Sequence, residues 1–181
     1  MKVSQVMTTQ VETCSQHDFL SKAARVMWDN ECGCVPVTDA EAKIVGIITD
    51  RDIAMAAYTQ GLPLHSIRVE SAMARTVVTC SPEDDLQTAE ELMRQNQIRR
   101  IPVLDRNAKL VGIVSLNDLT LAAQRQREQD TAEVTGVEIS ETLRAICRPR
   151  GHLSLQAAFA PEPGEMEFVP APPPKRGRWR R

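Results

Sequence analysis

The sequence predicts an α/β fold built from two copies of one strand–helix–strand–strand–helix unit, packed with pseudo-twofold symmetry. Residues 3–53 and 69–119 align without a gap at a constant offset of 66 residues, and about twenty of the 51 aligned positions are identical. A repeat of this length indicates a duplicated structural unit. Within each copy, short β-branched runs alternate with segments of helical periodicity, which is the pattern of an α/β unit.

Each copy opens with a short strand that leads into an amphipathic helix. Residues Val11–Cys14 alternate between apolar and polar side chains as a strand does. Ser15 and Asp18 follow with the spacing of a helix N-cap and its third residue, and Ser81 and Asp84 repeat that spacing in the second copy. The sequence therefore predicts that the first helix of each copy is capped by a serine.

The second half of each copy predicts a β-hairpin followed by another helix. An apolar run around a proline, at residues 35–37 and 101–103, predicts a strand at or near a sheet edge. A polar turn leads to a β-branched run at residues 44–48 and 110–114, which is typical of a buried strand. The buried strands should carry the core, because aromatic residues make up only 3% of the chain.

The repeat ends after residue 123, and the remaining chain changes character. Apolar residues between Val137 and Cys147 predict one short amphipathic helix, whereas proline and glycine from residue 161 onward predict disorder. We expect a first domain at 1–62, a second at 63–127, a helical extension at 128–160 and a basic tail at 161–181.

Composition excludes several classes of protein and points to the cytoplasm. No run of 18 apolar residues predicts a membrane span, and the N-terminus does not resemble a signal peptide. The five cysteines are therefore expected to be thiols rather than disulfides. Residues 1–147 contain 15 basic against 21 acidic residues, a net charge of −6, whereas residues 148–181 carry +4.

The most informative motif closes each copy, at the junction between the last strand and the last helix. Gly46 is followed by Thr49 and Asp52, and the second copy repeats this with Ser115 and Asp118. A hydroxyl followed three residues later by a carboxylate is also an ordinary capping box, which would serve stability alone. Placed at a helix N-terminus behind a strand, however, the same pair suits a phosphate and the two hydroxyls of a ribose.

The two copies of this motif differ in charge. Arg51 adds a cation inside the first motif, and the equivalent residue of the second motif, Asn117, is neutral. Arg99 and Arg100 of the second copy could compensate for the missing charge at Asn117. We therefore expect the two motifs to differ in their preference for phosphate number.

With these residues in view, the chain resembles a tandem pair of CBS domains, the Bateman module. Both copies match the family signature of glycine, a hydrophobic residue, any residue, Ser or Thr, two further residues and Asp or Asn. The openings after Val3 and Val69 and the strands Cys34–Val37 and Arg100–Val103 match as well. The resemblance covers roughly residues 1 to 123.

The resemblance implies regulatory binding of an adenosine-containing ligand: AMP, ADP or ATP, and less commonly S-adenosylmethionine or NAD. The acids Asp52 and Asp118 would hold the ribose, and Thr49 and Ser115 would contact phosphate. The segments after Met7 and Met73 would help to line the base pocket. The full set of expected ligand-binding residues is Thr49, Arg51, Asp52, Val35, Val37, Ser115, Asp118, Ile101, Val103 and Arg100. It also implies a homodimer paired through helices, with an unidentified protein as the target of the signal.

The sequence supports three other functions less well. No nucleophile, base and acid form a set, so we expect no enzymatic activity. Cys32 and Cys34 suggest a metal or redox site, but the chain offers no second Cys or His pair at the spacing a structural zinc site needs. The alternative is a dimerisation or scaffold protein whose basic tail, Lys175–Arg181, contacts nucleic acid or an acidic partner. The acidic charge of the rest of the chain disfavours nucleic acid.

Overall fold

A computed structural model describes residues 1–128 and 135–148. The tail at 161–181 and most of the predicted extension lie outside the described residues. The elements of the first copy are β1 (Cys14–Ser15), α1 (Leu20–Asp29), β2 (Cys34–Thr38), β3 (Ile44–Thr49) and α2 (Asp50–Gln60). Those that follow are α3 (Leu86–Asn96), β4 (Arg100–Leu104), β5 (Leu110–Ser115), α4 (Leu116–Glu128) and α5 (Gly136–Ile146). The predicted α/β fold of two repeats is confirmed.

The two sheets repeat one pattern of strand pairing. β2 and β3 form an antiparallel hairpin in which Cys34 pairs with Thr49, and β4 and β5 form its equivalent, in which Arg100 pairs with Ser115. The short β1 adds a parallel strand beside β2. In the second copy this third strand is reduced to a single bridge between Cys80 and Val103. The first strand of each copy is therefore shorter than its alternating sequence predicts.

The pseudo-twofold axis of the repeats can be located from a pair of equivalent residues. Lys43 and Lys109 occupy the same position in the two copies and form an antiparallel bridge with each other. A residue that contacts its own symmetry equivalent must lie next to the axis. The tips of the two hairpins therefore meet at the axis.

The helix start predicted at each serine is wrong. The Asp18 carboxylate does accept a hydrogen bond from the Ser15 backbone N–H at 2.7 Å, but this closes a turn, and α1 begins at Leu20. Phe19 between them is extended and forms a bridge with Arg68. Because the backbone at Phe19 pairs with another segment, it cannot enter the helix, and the same holds for α3 in the second copy.

The segments that open the two copies are exchanged between them. Val3 donates a backbone hydrogen bond to Asp84, and Thr8 exchanges backbone hydrogen bonds with Ile113, both in the second copy. In the same way, Ala74 exchanges backbone hydrogen bonds of 2.9 and 3.0 Å with Ile47 in the first copy. Each copy thus completes its fold with chain from the other.

The hydrophobic cores follow this exchange. Val3 is fully buried in the core of the second copy, and Val69 is fully buried in the core of the first. Each core is otherwise made of aliphatic and methionine side chains, as the scarcity of aromatic residues requires. Cys14 and Cys80 are buried at equivalent positions and act as small apolar side chains.

The glycine of each motif is required by the exchanged segment. A Cβ on Gly46 would lie 2.7 Å from the Met73 sulfur and 2.9 Å from the Ala74 carbonyl oxygen. A Cβ on Gly112 would lie 2.7 Å from the Met7 sulfur and 3.0 Å from the backbone oxygen of the next residue. Only a residue without a side chain permits the two backbones to approach this closely.

The predicted C-terminal helix is confirmed as α5, and it packs on α3 and α4 of the second copy. Ile146 enters the core of that copy, and the Thr142 hydroxyl donates a buried hydrogen bond to the Glu90 carboxylate. The Gln97 amide also donates to the backbone oxygens of Ala145 and Arg148. These polar contacts fix the position of α5, because a buried carboxylate without a donor would be costly.

Candidate functional site

The first candidate site is the N-terminus of α2, where Thr49 and Asp52 contact each other as the motif predicts. The backbone N–H and the hydroxyl of Thr49 donate to Asp52 Oδ2 at 2.9 and 2.7 Å. The Asp52 N–H in turn donates to the Thr49 hydroxyl oxygen at 3.2 Å. Both side chains are partly exposed, so a ligand can reach them.

The second candidate site repeats this geometry at the N-terminus of α4. The backbone N–H and hydroxyl of Ser115 donate to Asp118 Oδ2 at 2.8 and 2.6 Å, and the Asp118 N–H donates back at 3.3 Å. The two motifs are therefore equivalent in their internal hydrogen bonds.

A third pair shows what this geometry does by itself. At the start of α5, the Thr135 N–H and hydroxyl donate to Glu138 Oε2 at 2.7 and 2.9 Å, in the same arrangement. This pair lies outside the repeats and caps its helix, satisfying N–H groups that have no partner within the helix. Capping alone thus explains the internal bonds, and any binding role depends on what surrounds the two motifs.

The exchanged segments supply those surroundings. Ala74 pairs with Ile47, two residues before Thr49, so the chain after Met73 runs beside the first motif. By the equivalent pairing of Thr8 with Ile113, the chain after Met7 runs beside the second motif. Each candidate cleft is therefore composite, with a motif from one copy and an opening segment from the other. The similarity between the two repeats identifies both opening segments. Only the structure shows that each segment packs against the other copy.

The chain that precedes β2 or β4 forms another edge of each cleft. The first N–H of α2, from Asp50, donates to the Gly33 carbonyl oxygen at 3.2 Å. The equivalent N–H of α4, from Leu116, donates to the Arg99 carbonyl oxygen at 2.9 Å. The first cleft thus has glycine where the second has arginine, and Gly33 and Arg99 are neighbours that the expected ligand-binding set does not include.

The Arg100 backbone pairs with Ser115 of the second motif, but its guanidinium lies near the first motif. A Cβ built on Gly33 would be 3.1 Å from the Asp50 carboxylate and 3.9 Å from Arg100 Nη1. The guanidinium therefore extends from the second copy towards the N-terminus of α2. Arg51 is exposed in the same first turn, so the cations Arg51 and Arg100 and the anion Asp50 surround the first motif.

Four of the expected ligand-binding side chains are in the hydrophobic cores. Val35 and Val37 are buried in the core of the first copy, and Ile101 and Val103 in that of the second. None of the four is more than 1% exposed. Their side chains support the strands from within the cores. Contact between these residues and a ligand stays a prediction.

The cysteines differ in burial rather than forming a cluster. Within residues 1–128 and 135–148, no group of three His, Cys, Asp or Glu side chains is placed to hold a metal ion. The Cys32 thiol donates to the Cys34 carbonyl oxygen at 3.4 Å, and Cys34 is itself buried. Burial raises the pKa of the Cys14, Cys34 and Cys80 thiols to about 11.

Thiol reactivity should follow this burial. At pH 8 we expect Ellman's reagent to titrate Cys32 and Cys147 in the folded protein, and Cys14, Cys34 and Cys80 only after unfolding, because thiolate is the reactive form. Since the folded pKa is above the usual value of 9.0, these three thiols favour folding below pH 9, and this contribution is lost as the pH rises towards 11. Rapid labelling of all five native cysteines would contradict the prediction.

Shallow depressions of about 340 and 430 Å³ flank α5, and neither is lined by a residue of the two motifs. None of the helices in the described ranges combines the length and apolar character that a membrane crossing requires.

Known proteins of one family are similar to this chain in sequence and in fold. The CBS domain family matches this chain twice, at residues 3–58 and 69–125. The CBS domain-containing protein YhcV of Bacillus subtilis is 40% identical over 119 residues, which are 66% of this chain and 83% of YhcV. Among solved structures, the CBS-domain containing protein ATU1752 from Agrobacterium tumefaciens is 30% identical, with a TM-score of 0.61 over 67% of this chain and 98% of its own.

A second solved structure was determined with ligands. The CBS domain pair of protein MJ0100, in complex with 5′-methylthioadenosine and S-adenosyl-L-methionine, is 25% identical to this chain. It superposes with a TM-score of 0.64 over 70% of this chain and 98% of its own.

The exchanged repeats and their paired helix-terminal motifs define a tandem-repeat module of the Bateman type. The family matches cover more than half of the sequence. The chain belongs to the CBS domain family and contains a pair of CBS domains.

Proposed function

We propose that this CBS pair is a cytoplasmic regulatory module that binds an adenosine nucleotide, AMP, ADP or ATP, in one or both of its composite clefts. It acts as a homodimer and signals to a protein partner through a change of conformation, with no catalytic step of its own. S-adenosylmethionine and NAD are the less favoured ligands.

The observation that carries the proposal is the composite construction of each cleft. A hydroxyl and a carboxylate lie together at a helix N-terminus, beside a segment from the other copy. The helix terminus and its hydroxyl suit a phosphate, and the carboxylate suits the ribose hydroxyls. Because Thr135 and Glu138 form the same pair outside the repeats, the paired motif and exchanged segment together distinguish the clefts from simple helix caps.

The ligands of a structural neighbour support the same class of ligand. The MJ0100 domain pair was solved with two adenosine-containing molecules. A charged phosphate chain, rather than a methylthio or sulfonium group, is favoured here by the cations Arg51 and Arg100 at the first motif.

The composite construction also gives a route from binding to signal. A ligand that contacts a motif of one copy and an opening segment of the other links the positions of the two copies. It shifts the protein between conformations only if it binds one of them more tightly, since equal affinity for both changes nothing.

Isothermal titration of the full chain with AMP, ADP, ATP and S-adenosylmethionine tests the proposal. We expect saturable binding of at least one nucleotide, with competition between nucleotides for the same cleft. If none of the four ligands binds at millimolar concentration, the sensing function is excluded and the motifs are helix caps only.

The two clefts should rank nucleotides differently. Arg51 and Arg100 add positive charge at the first motif, where Asn117 and Cys34 are the equivalent residues at the second. We expect the ratio of ATP affinity to AMP affinity to be higher at the first cleft than at the second. The difference between the clefts should decrease in high salt, because salt screens exposed charges. Titration of variants that retain a single functional cleft measures this ranking, and identical ranking at both clefts would contradict it.

A further inference from the structure

The repeat allows two equivalent helix pairs to be compared within one molecule. In the second copy, α5 covers one side of α3 and α4. In the first copy, the short helix Leu64–Ser66 contacts α1, yet Trp28 of α1 is 84% exposed and Tyr58 of α2 is 81% exposed. Exposed aromatic side chains on adjacent helices are typical of an interaction surface.

Trp28 is on the side of α1 that corresponds to the side of α3 covered by α5. The residue equivalent to Glu90, which α5 contacts, is Ala24, and Ala24 is one turn from Trp28 on α1. Residues four apart lie on the same helix face. We call this face, made by Ala24, Arg25, Trp28 and Asp29 of α1 together with the exposed Tyr58 of the adjacent helix α2, the first-copy face.

The first-copy face does not suit an α5 helix from another molecule. α5 is held on the second copy by polar contacts to Glu90 and Gln97. The first copy has Ala24 and Glu31 at these positions. Alanine offers no acceptor to the Thr142 hydroxyl, and the Glu31 carboxylate would oppose the carbonyl oxygens that Gln97 contacts.

The charges of the first-copy face are self-complementary. Arg25 and Asp29 flank Trp28 and form an exposed ion pair at 3.4 Å. If two copies of α1 pack antiparallel about a twofold axis near Trp28, Arg25 of each chain meets Asp29 of the partner subunit. An isologous contact requires a surface that complements itself in this way. A second copy of the chain therefore fits the face better than a partner of one charge sign.

We propose that the homodimer forms through the first-copy face alone, while α5 occupies the equivalent face of the second copy. The contact buries Trp28 and Tyr58 and exchanges the Arg25–Asp29 ion pairs between chains. This inference rests on the homodimer of the proposed function and specifies its interface. It is independent of which ligand the clefts bind.

Analytical ultracentrifugation of the full chain provides the first test. We expect a dimer whose dissociation constant rises about a hundredfold in Trp28→Glu, the scale of an aromatic anchor at an interface. Val137→Glu, which alters another exposed apolar side chain on α5, is the matched control and should leave the dimer unchanged. A dimer that survives Trp28→Glu, or that is broken by Val137→Glu, would overturn the proposed interface.

Charge reversal provides a test that does not depend on the fold of one variant. Arg25→Glu and Asp29→Arg should each be monomeric, because each places like charges opposite one another across the twofold axis. An equal mixture of the two variants should form a heterodimer, in which every such contact pairs opposite charges. If circular dichroism shows that each variant is folded and the mixture still stays monomeric, the antiparallel contact is refuted.

The outcomes separate this inference from the ligand proposal. A parent chain that is monomeric but binds AMP in the titration overturns the interface and the homodimer, and leaves nucleotide sensing intact. A dimer that behaves as expected in Trp28→Glu but binds no nucleotide supports the interface and excludes the sensing function.

Discussion

Replacing Gly46 or Gly112 by alanine should destabilise the protein by about 1–3 kcal/mol, the usual cost of overpacking a filled site. The new Cβ would lie 2.7 Å from a methionine sulfur and no more than 3.0 Å from a backbone oxygen of the exchanged segment. A methionine side chain can move, but the backbone cannot move without weakening the hydrogen bonds between Ala74 and Ile47, or between Thr8 and Ile113. Urea unfolding of each variant measures the loss.

Gly136→Ala is the matched control for these two variants. Among residues 1–128 and 135–148, no heavy atom other than those of its chain neighbours and its own helix backbone lies within 4 Å of a Cβ at this position, which is the first residue of α5. A change within about 0.5 kcal/mol is expected there, as for most surface substitutions. If Gly46→Ala were as stable as Gly136→Ala, this would contradict the close approach of the exchanged segment to Gly46.

Asp52→Ala and Asp118→Ala should each weaken nucleotide binding at one cleft and leave the other cleft unchanged. Each variant removes the charged acceptor proposed for the ribose hydroxyls. A hydrogen bond to a charged group contributes about 1.5–3 kcal/mol, so affinity should fall roughly ten- to hundredfold at the altered cleft. Titration calorimetry with the best-binding nucleotide measures affinity and stoichiometry.

A control for the loss of the helix cap is needed, because both acids also accept bonds from their helix termini. Glu138→Ala removes the same capping arrangement at α5, outside the clefts. It should cost about 1 kcal/mol of stability, as cap removal usually does, without a change in nucleotide affinity. If the two aspartate variants bound nucleotide like the parent, the acids would be caps only.

The sequence predicted most of the secondary structure because each element has a local cause. The β-branched runs around Gly46 and Gly112 form strands, and the apolar periodicity between Val137 and Cys147 forms α5. The errors occur where a distant segment intervenes. Phe19 has a local pattern that favours entry into a helix, but its backbone pairs with Arg68, and α1 begins one residue later.

The candidate site was predictable in part for the same reason. The contacts of Thr49 with Asp52 and of Ser115 with Asp118 depend on residues three apart, so the spacing alone indicates them. The position of Arg100 beside Gly33 depends on how one copy packs against the other, which no local pattern records. The fully buried state of Val35 likewise follows from the completed core rather than from its strand.

The exchange of opening segments has a consequence for how such a chain can arise. A single repeat, synthesised alone, would lack the segment that fills its core, since Val3 and Val69 each serve the other copy. Two separate repeats can complete each other by domain swapping, a low-cost route to a dimer. Fusion of the two genes turns that encounter between molecules into one within a molecule, at a fixed high effective concentration. A tandem duplicate of this kind would keep the exchange within one polypeptide, and its two clefts would be free to diverge.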